Sequence, residues 1–248
     1  MSDELEKPLG VMGKQEQRPP VPDSSSLIAP RSSLTLASAS PRRRELLAVL
    51  GLPFDVTAAD VDETIPPGED PGQAAVRLAR AKAEAVAWRE WDALVLGADT
   101  VVILDGRSLG KPADPDEAMS MLRALRGRRH TVVTGVAFCD SRTGETRTAA
   151  PETAVSMRAY AHDEIAASIA AGTPFDKAGA YAIQDESFAP AERIDGCYCN
   201  VVGLPLWTVY QLLREIDGSL PVRRPSEKRA VCATCPLANE GPTPRPPP

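Results

Sequence analysis

Three short stretches of this chain carry residue types at spacings that suit the handling of phosphate. In SASPRRRE, residues 38–45, Ser38 and Ser40 offer hydroxyls, Pro41 fits a first helical turn, and Arg42 and Arg43 would reinforce the free N–H groups of a helix start as an anion site. Taken alone, Ser40 as a plain N-cap and the arginines as a solvated face describe the same residues equally well. In LGADTVV, Asp99 ends a strongly apolar run and is followed at once by Thr100. A carboxylate at the end of a buried strand sits where open α/β sheets bind ligands, and it can hold a divalent cation or take a proton from water. The plain alternative is an aspartate capping a turn. In DVDET, Asp62 and Glu63 are hard oxygen donors, or a solvated acidic loop.

Cations and an amide are spread further along the chain. Lys82 lies in an alanine-rich stretch, Lys111 in GKP, Asp176 and Lys177 in FDKAGAYAIQ, with Gln184 closing that last run. Any one of these lysines is expected to be solvated. Together they matter, because a nucleoside triphosphate carries about four negative charges and needs several cations and a metal to be held. Gly179 permits close backbone approach, and the Gln184 amide both donates and accepts.

The elements that must position these residues alternate. LTLA is a short buried strand, the following RRRELLAVL a helix stopped by Gly51, FDVTAAD a strand, and PGQAAVRLARAKAEAVAW a long helix. ALVLGADTVVIL is a buried strand turned by Asp105 and Gly106. DPDEAMSMLRALRG is a helix, HTVVTGVAFCD and TRTAAPETAVSMRAY are two more strands, HDEIAASIAAG is a helix, and LPLWTVYQLLREI is a final helix begun by Pro205. Strands and helices interleaved in this way give an α/β or mixed α+β domain around a twisted sheet.

The rest of the composition sets boundaries. Thirteen of the 24 prolines fall in residues 1–33 and 217–248, where no helical or alternating apolar period exists, so both ends are expected to be disordered tails and residues 34–217 to fold and work alone. A net charge of −6 argues against a general binder of nucleic acid polymers. No run of apolar residues is long enough to span a membrane and the start lacks the pattern of a secretion signal, so a cytoplasmic location is expected. The 5 cysteines then read as reduced thiols. Cys232 and Cys235 form a CxxC pair that needs Cys197 and Cys199, or a second chain, to complete a four-ligand zinc; a reduced, solvent-exposed pair is the expectation. His130 and His162 are expected on the surface or in satisfied structural roles.

Six blocks in order, LASASPRRRELLAVLG, VRLARAK, LGADTVV, GKP, DKAGAYAIQ and NVVGLPL, resemble the Maf family of nucleoside triphosphate pyrophosphatases over nearly all of residues 34–217. The DKAGAYAIQ form resembles the branch acting on dTTP and UTP. The resemblance implies a Maf-like single domain around a twisted mixed sheet and hydrolysis of a nucleotide to its monophosphate and pyrophosphate with Mg²⁺ or Mn²⁺, a small-molecule substrate and no membrane partner, with a homodimer left open. It implies Asp99 as proton acceptor, and Arg42, Thr100 and Gln184 as substrate-selecting residues. Ser38, Arg43, Glu63, Lys82, Lys111, Asp176 and Lys177 match other polar positions of the pocket, with Glu63 and Asp99 the expected metal ligands. A housecleaning pyrophosphatase for modified nucleotides, or a nucleotide-binding regulator of cell division, are the alternative functions. GCYCN departs from the GSY more usual in the family, and both tails run past its usual boundaries.

Overall fold

Two glycines fix how the layers of this protein meet. In the computed structural model, which describes residues 33–239, the long helix α2 (Pro71–Ala87) lies across strands β3 (Ala93–Leu104) and β5 (Arg129–Asp140). A Cβ on Gly97 of β3 would stand 2.1 Å from the Ala79 carbonyl oxygen, and one on Gly135 of β5 2.2 Å from that of Ala75. Only glycine lets the helix backbone come this near, and the facing alanines of α2 continue the close contact. Asp70 caps α2 by accepting from the Gln73 N–H at 2.9 Å, and Pro71 occupies its first turn.

β3 and β5 pair antiparallel over ten residues and form the spine of the sheet. β1 (Ser33–Leu36) runs parallel to β3 and carries β2 (Asp55–Val56) outside it; β7 (Glu152–Met157) and β8 (Ala191–Asp195) extend the sheet beyond β5, giving the order β2-β1-β3-β5-β7-β8. β4 (Arg107–Leu109) folds back on β3 as a hairpin, and β6 (Thr146–Ala149) continues along the β5 edge that β7 occupies. The run expected as one strand, TRTAAPETAVSMRAY, is thus two, because Pro151 has no N–H to give the ladder. FDVTAAD shrinks to two exposed residues, β2, and the chain after it becomes the loop that carries Glu63.

Side-chain alternation along β3 sorts the layers. Val95 and Val101 face α2. Leu94, Leu96 and Ala98 face the opposite side, where α1 (Pro41–Ala48), α5 (Tyr198–Val202) and α6 (Leu206–Ile216) complete one core. Farther along that same side, Val102 and Leu104 meet α3 (Pro115–Leu125) and α4 (His162–Ala170) in a second core. β8 and α5 escape the sequence patterns, since β8 is a half-buried edge without apolar alternation and α5 has only five residues.

The expected tails divide. Residues 1–32 and 240–248 lie outside the described residues, but 218–239 are described and pack on the domain. Short 3₁₀ turns at Pro225–Glu227, Ala230–Cys232 and Pro236–Ala238 bury Pro225, Cys232, Cys235 and Leu237. The Arg223 N–H donates to the Leu50 carbonyl at 2.9 Å, Trp207 Nε1 to the Cys232 carbonyl at 2.9 Å, and Gln211 Nε2 to the Leu237 carbonyl at 2.9 Å. The expectation of disorder from residue 218 is corrected for this segment. It folds by docking a few side chains and backbone groups, which leaves no period to read in the sequence.

Candidate active site

The pocket opens where β3 loses its neighbours. β1 pairs with β3 only through Leu96 and β4 only from Val102, so the intervening edge, with Asp99 and Thr100, is paired by neither. Such a split between strands is where open sheets take ligands. A cavity of about 570 Å³ occupies it, and the eleven residues that the family resemblance assigned all line it: Asp99 and Thr100 from β3, Ser38, Arg42 and Arg43 from the β1–α1 connection and helix, Glu63 and Lys82 from the loop and helix α2, and Lys111, Asp176, Lys177 and Gln184 from two later loops.

Because Asp99 and Thr100 are consecutive strand residues, they point to opposite faces, and each gathers its own partners. On the α2 face, Lys82 Nζ donates to Asp99 Oδ1 at 2.6 Å and pairs with Glu63 Oε1 at 2.7 Å. Lys82 is buried, so the expectation of a solvated lysine is corrected: the close approach of α2 to Gly97 brings its ammonium against the carboxylate. Burial works to raise Glu63, but the Lys82 hydrogen bond and the charges of Lys82, Lys111 and Arg43 prevail and hold it below the usual glutamate value. Asp62 plays no part there; it accepts from the Thr64 N–H at 2.9 Å and shapes the turn.

On the other face, Arg43 fans its guanidinium over three acceptors, the Gly203 carbonyl at 2.9 Å, Ser38 Oγ at 3.2 Å and Thr100 Oγ1 at 3.2 Å. Burial pulls Arg43 below the ordinary arginine value, against the raising influence of Asp99 and Glu63, so this cation has given up much of its hydration. Behind Thr100 the hydroxyls continue, Thr100 to Thr134 at 3.0 Å and Thr134 to the Asn200 carbonyl at 2.8 Å. Thr134 spends its one proton on that carbonyl, so Thr100 donates to Thr134 and accepts from Arg43. Thr134 and Asn200 are fully buried in the gap between the two cores, and only their polar type in apolar surroundings could have marked them in the sequence.

Arg42 reaches the other rim. Its Nη1 donates to Asp176 Oδ2 at 2.8 Å, and Lys177 pairs with the other oxygen of the same carboxylate while also donating to the Thr173 carbonyl at 2.6 Å. Burial raises Asp176, but these two cations outweigh it and hold the carboxyl below its ordinary value. The Gly179 N–H donates to the Gly110 carbonyl at 2.9 Å, tying the Lys177 loop to the Lys111 loop. Positive φ at Gly179 and at Ala180 (70° and 62°) then turns Tyr181 inward, where its hydroxyl meets His130 Nε2 at 2.8 Å. His130 is accordingly buried and structural. Ser40 holds the N-cap position of α1 without a side-chain cap bond; instead its N–H donates to Ser38 Oγ at 3.3 Å. Gln184 is exposed at the mouth.

The lining therefore holds five cations, Arg42, Arg43, Lys82, Lys111 and Lys177, against three carboxylates, Glu63, Asp99 and Asp176. A pocket whose lining is net positive stands in a protein of net charge −6. Residues 33–216 match the family model described as Maf-like protein. The chain belongs to the Maf family. Among Maf relatives, the dTTP/UTP pyrophosphatase of Thermomicrobium roseum is 51% identical over 209 residues, 83% of this chain and 94% of the relative. Those of Pelotomaculum thermopropionicum (50% identical, 73% of this chain, 95% of the relative) and Geotalea uraniireducens (48%, 76% and 97%) carry the same name. The Maf match ends at 216, whereas the Thermomicrobium alignment is longer than the matched span. Among the described residues no helix is long and apolar enough to cross a membrane.

Proposed function

We infer that this protein is a nucleoside triphosphate pyrophosphatase that hydrolyses dTTP and UTP to the monophosphate and pyrophosphate. The observation that carries it is the pocket itself, with Asp99 and Glu63 on one buried ammonium and four further cations around them, in a chain about half identical to proteins named dTTP/UTP pyrophosphatase. Residues 34–217 supply every lining group and are the catalytic unit in this account.

Water attacks the α-phosphorus, the bond from that phosphorus to the bridging oxygen breaks, and pyrophosphate departs with the electron pair. Asp99 accepts the water's proton on Oδ2, since Lys82 holds Oδ1 and keeps the carboxylate fixed. Arg43, partly stripped of water and braced by Ser38, Thr100 and Gly203, binds phosphate oxygens at the reacting end, and Lys111 and Lys177 hold the pyrophosphate side. Arg42 and Gln184 sit at the rim where the base enters, with Leu109, Ile183 and Val202 as apolar surface for the ring.

The donors also fit a divalent cation. Lys82 Nζ bridges Glu63 Oε1 at 2.7 Å and Asp99 Oδ1 at 2.6 Å, so two carboxylates stand side by side in the pocket, each with a second hard oxygen that this ammonium does not hold. No group of three or more acidic, histidine or cysteine ligands stands ready among the described residues. Phosphate oxygens and water would complete the shell, as Mg²⁺ or Mn²⁺ prefers. Bound there, such an ion supplies neutralising charge to the triphosphate. The test is a panel of dTTP, UTP, CTP and GTP with product analysis, with and without a chelator. Metal-dependent release of pyrophosphate from dTTP and UTP ahead of the other two is expected; preference for GTP, or release of orthophosphate, would refute the assignment.

A further inference from the structure

The departure GCYCN and the appended segment meet at one place, away from the pocket's charged lining. Cys197 and Cys199 stand at the start of α5, Cys232 and Cys235 in the 3₁₀ turns of 218–239, and all four are buried, against the expected solvent-exposed pair. All are free thiols. Cys199 Sγ and Cys232 Sγ are 3.6 Å apart, and Cys197 and Cys235 are buried in the same core cluster, so the four thiols gather at one place. A disulfide needs about 2.05 Å between sulfurs. The edge of a tetrahedron of thiolates around zinc, with bonds of about 2.3 Å, is about 3.8 Å.

Two further features point the same way. The fifth cysteine, Cys139, is buried in a different core beneath α2, so the other four are gathered by the fold and not by cysteine's general preference for burial. The spacings, Cys-x-Cys and Cys-x-x-Cys, bring two short clips from distant parts of the chain, as four-cysteine zinc sites do.

We propose that Cys197, Cys199, Cys232 and Cys235 bind one zinc ion as four thiolates, and that this ion clips residues 218–239 onto the domain. As the sulfurs stand among the described residues, no three have closed around a common centre; the ion completes the cage by drawing the four together. Each zinc bound displaces four thiol protons. Its place in the fold gives it a consequence: α5 lies between this cluster and the pocket wall, where the Asn200 and Gly203 carbonyls hold Thr134 and Arg43. The site is structural and independent of the proposed hydrolysis.

The full chain, purified without chelator or metal-affinity tag, is assayed for metal content. About one zinc per chain is expected, retained in Glu63→Gln and lost in the double variant Cys232→Ser/Cys235→Ser, with the melting temperature lower by roughly 5 °C or more when zinc is gone. Should the double variant fail to fold, Co²⁺ titrated into the reduced wild-type chain decides, through the visible bands of tetrahedral thiolate coordination at one equivalent. Zinc absent from the purified chain together with no such bands, zinc retained by the double variant, or a disulfide among these four cysteines in the protein from reducing cells would each overturn the proposal.

Discussion

Asp99 and Gln184 test different halves of the chemistry. Asp99→Asn removes the proposed proton acceptor while nearly keeping volume, and Glu63 still pairs with Lys82; turnover of dTTP should fall about 10²- to 10⁴-fold with the fold intact. Steady-state rates beside a melting curve check it, and a variant keeping more than about a third of the rate would remove Asp99 from its role. In the proposed reading Gln184 contributes to choice of base. Gln184→Ala should narrow the preference for UTP over GTP by about 1–3 kcal/mol, provided its amide is buried against the bound pyrimidine, and the ratio of specificity constants reads it directly. These residues were legible because each stands in a block with its own composition. Thr134 and Asn200 were not, since a hydroxyl in HTVVTGVAF and an amide beside apolar residues acquire meaning only when two strands and a helix meet over them.

At the scale of elements, the strands and helices with strong apolar patterns stood out in the sequence, β3, β5, α2, α3 and α6 above all, because burial on one face leaves a period. Edge strand β8, the two-residue β2 and the 3₁₀ turns of 218–239 leave none. His130 gives β5 a pH-dependent joint with the loop that carries Lys177 and Gln184. Burial lowers its pKa from 6.5 to about 4, so between those values the unfolded chain takes up a proton that the folded chain refuses. Stability from this group is complete above about pH 6.5 and declines as pH falls. Between pH 7 and pH 5 the loss amounts to about 2 kcal/mol. His130→Gln, which can keep a hydrogen bond to Tyr181, should flatten the pH dependence of urea unfolding by that amount; superimposable profiles for the two proteins would contradict it.

The described residues comprise the Maf-family span through 216 and a further segment packed onto it. From composition alone, trimming to residues 34–217 should leave the melting temperature nearly unchanged. The docking of Cys232, Cys235 and Leu237 beside Trp207, and the hydrogen bonds from Trp207, Gln211 and Arg223, change that expectation. Ending the chain at 217 should lower the melting temperature by roughly 5 °C or more, while ending it at 239 should not, as calorimetry of the two truncations would show. The pocket residues all precede 218, so the shorter protein keeps its chemistry wherever it stays folded. That chemistry is most directly tested by turnover of dTTP in ¹⁸O-labelled water, with the products weighed by mass spectrometry. Attack on the α-phosphorus directed by Asp99 places one label in the monophosphate and none in pyrophosphate; label in the pyrophosphate, or products other than these two, would contradict the account.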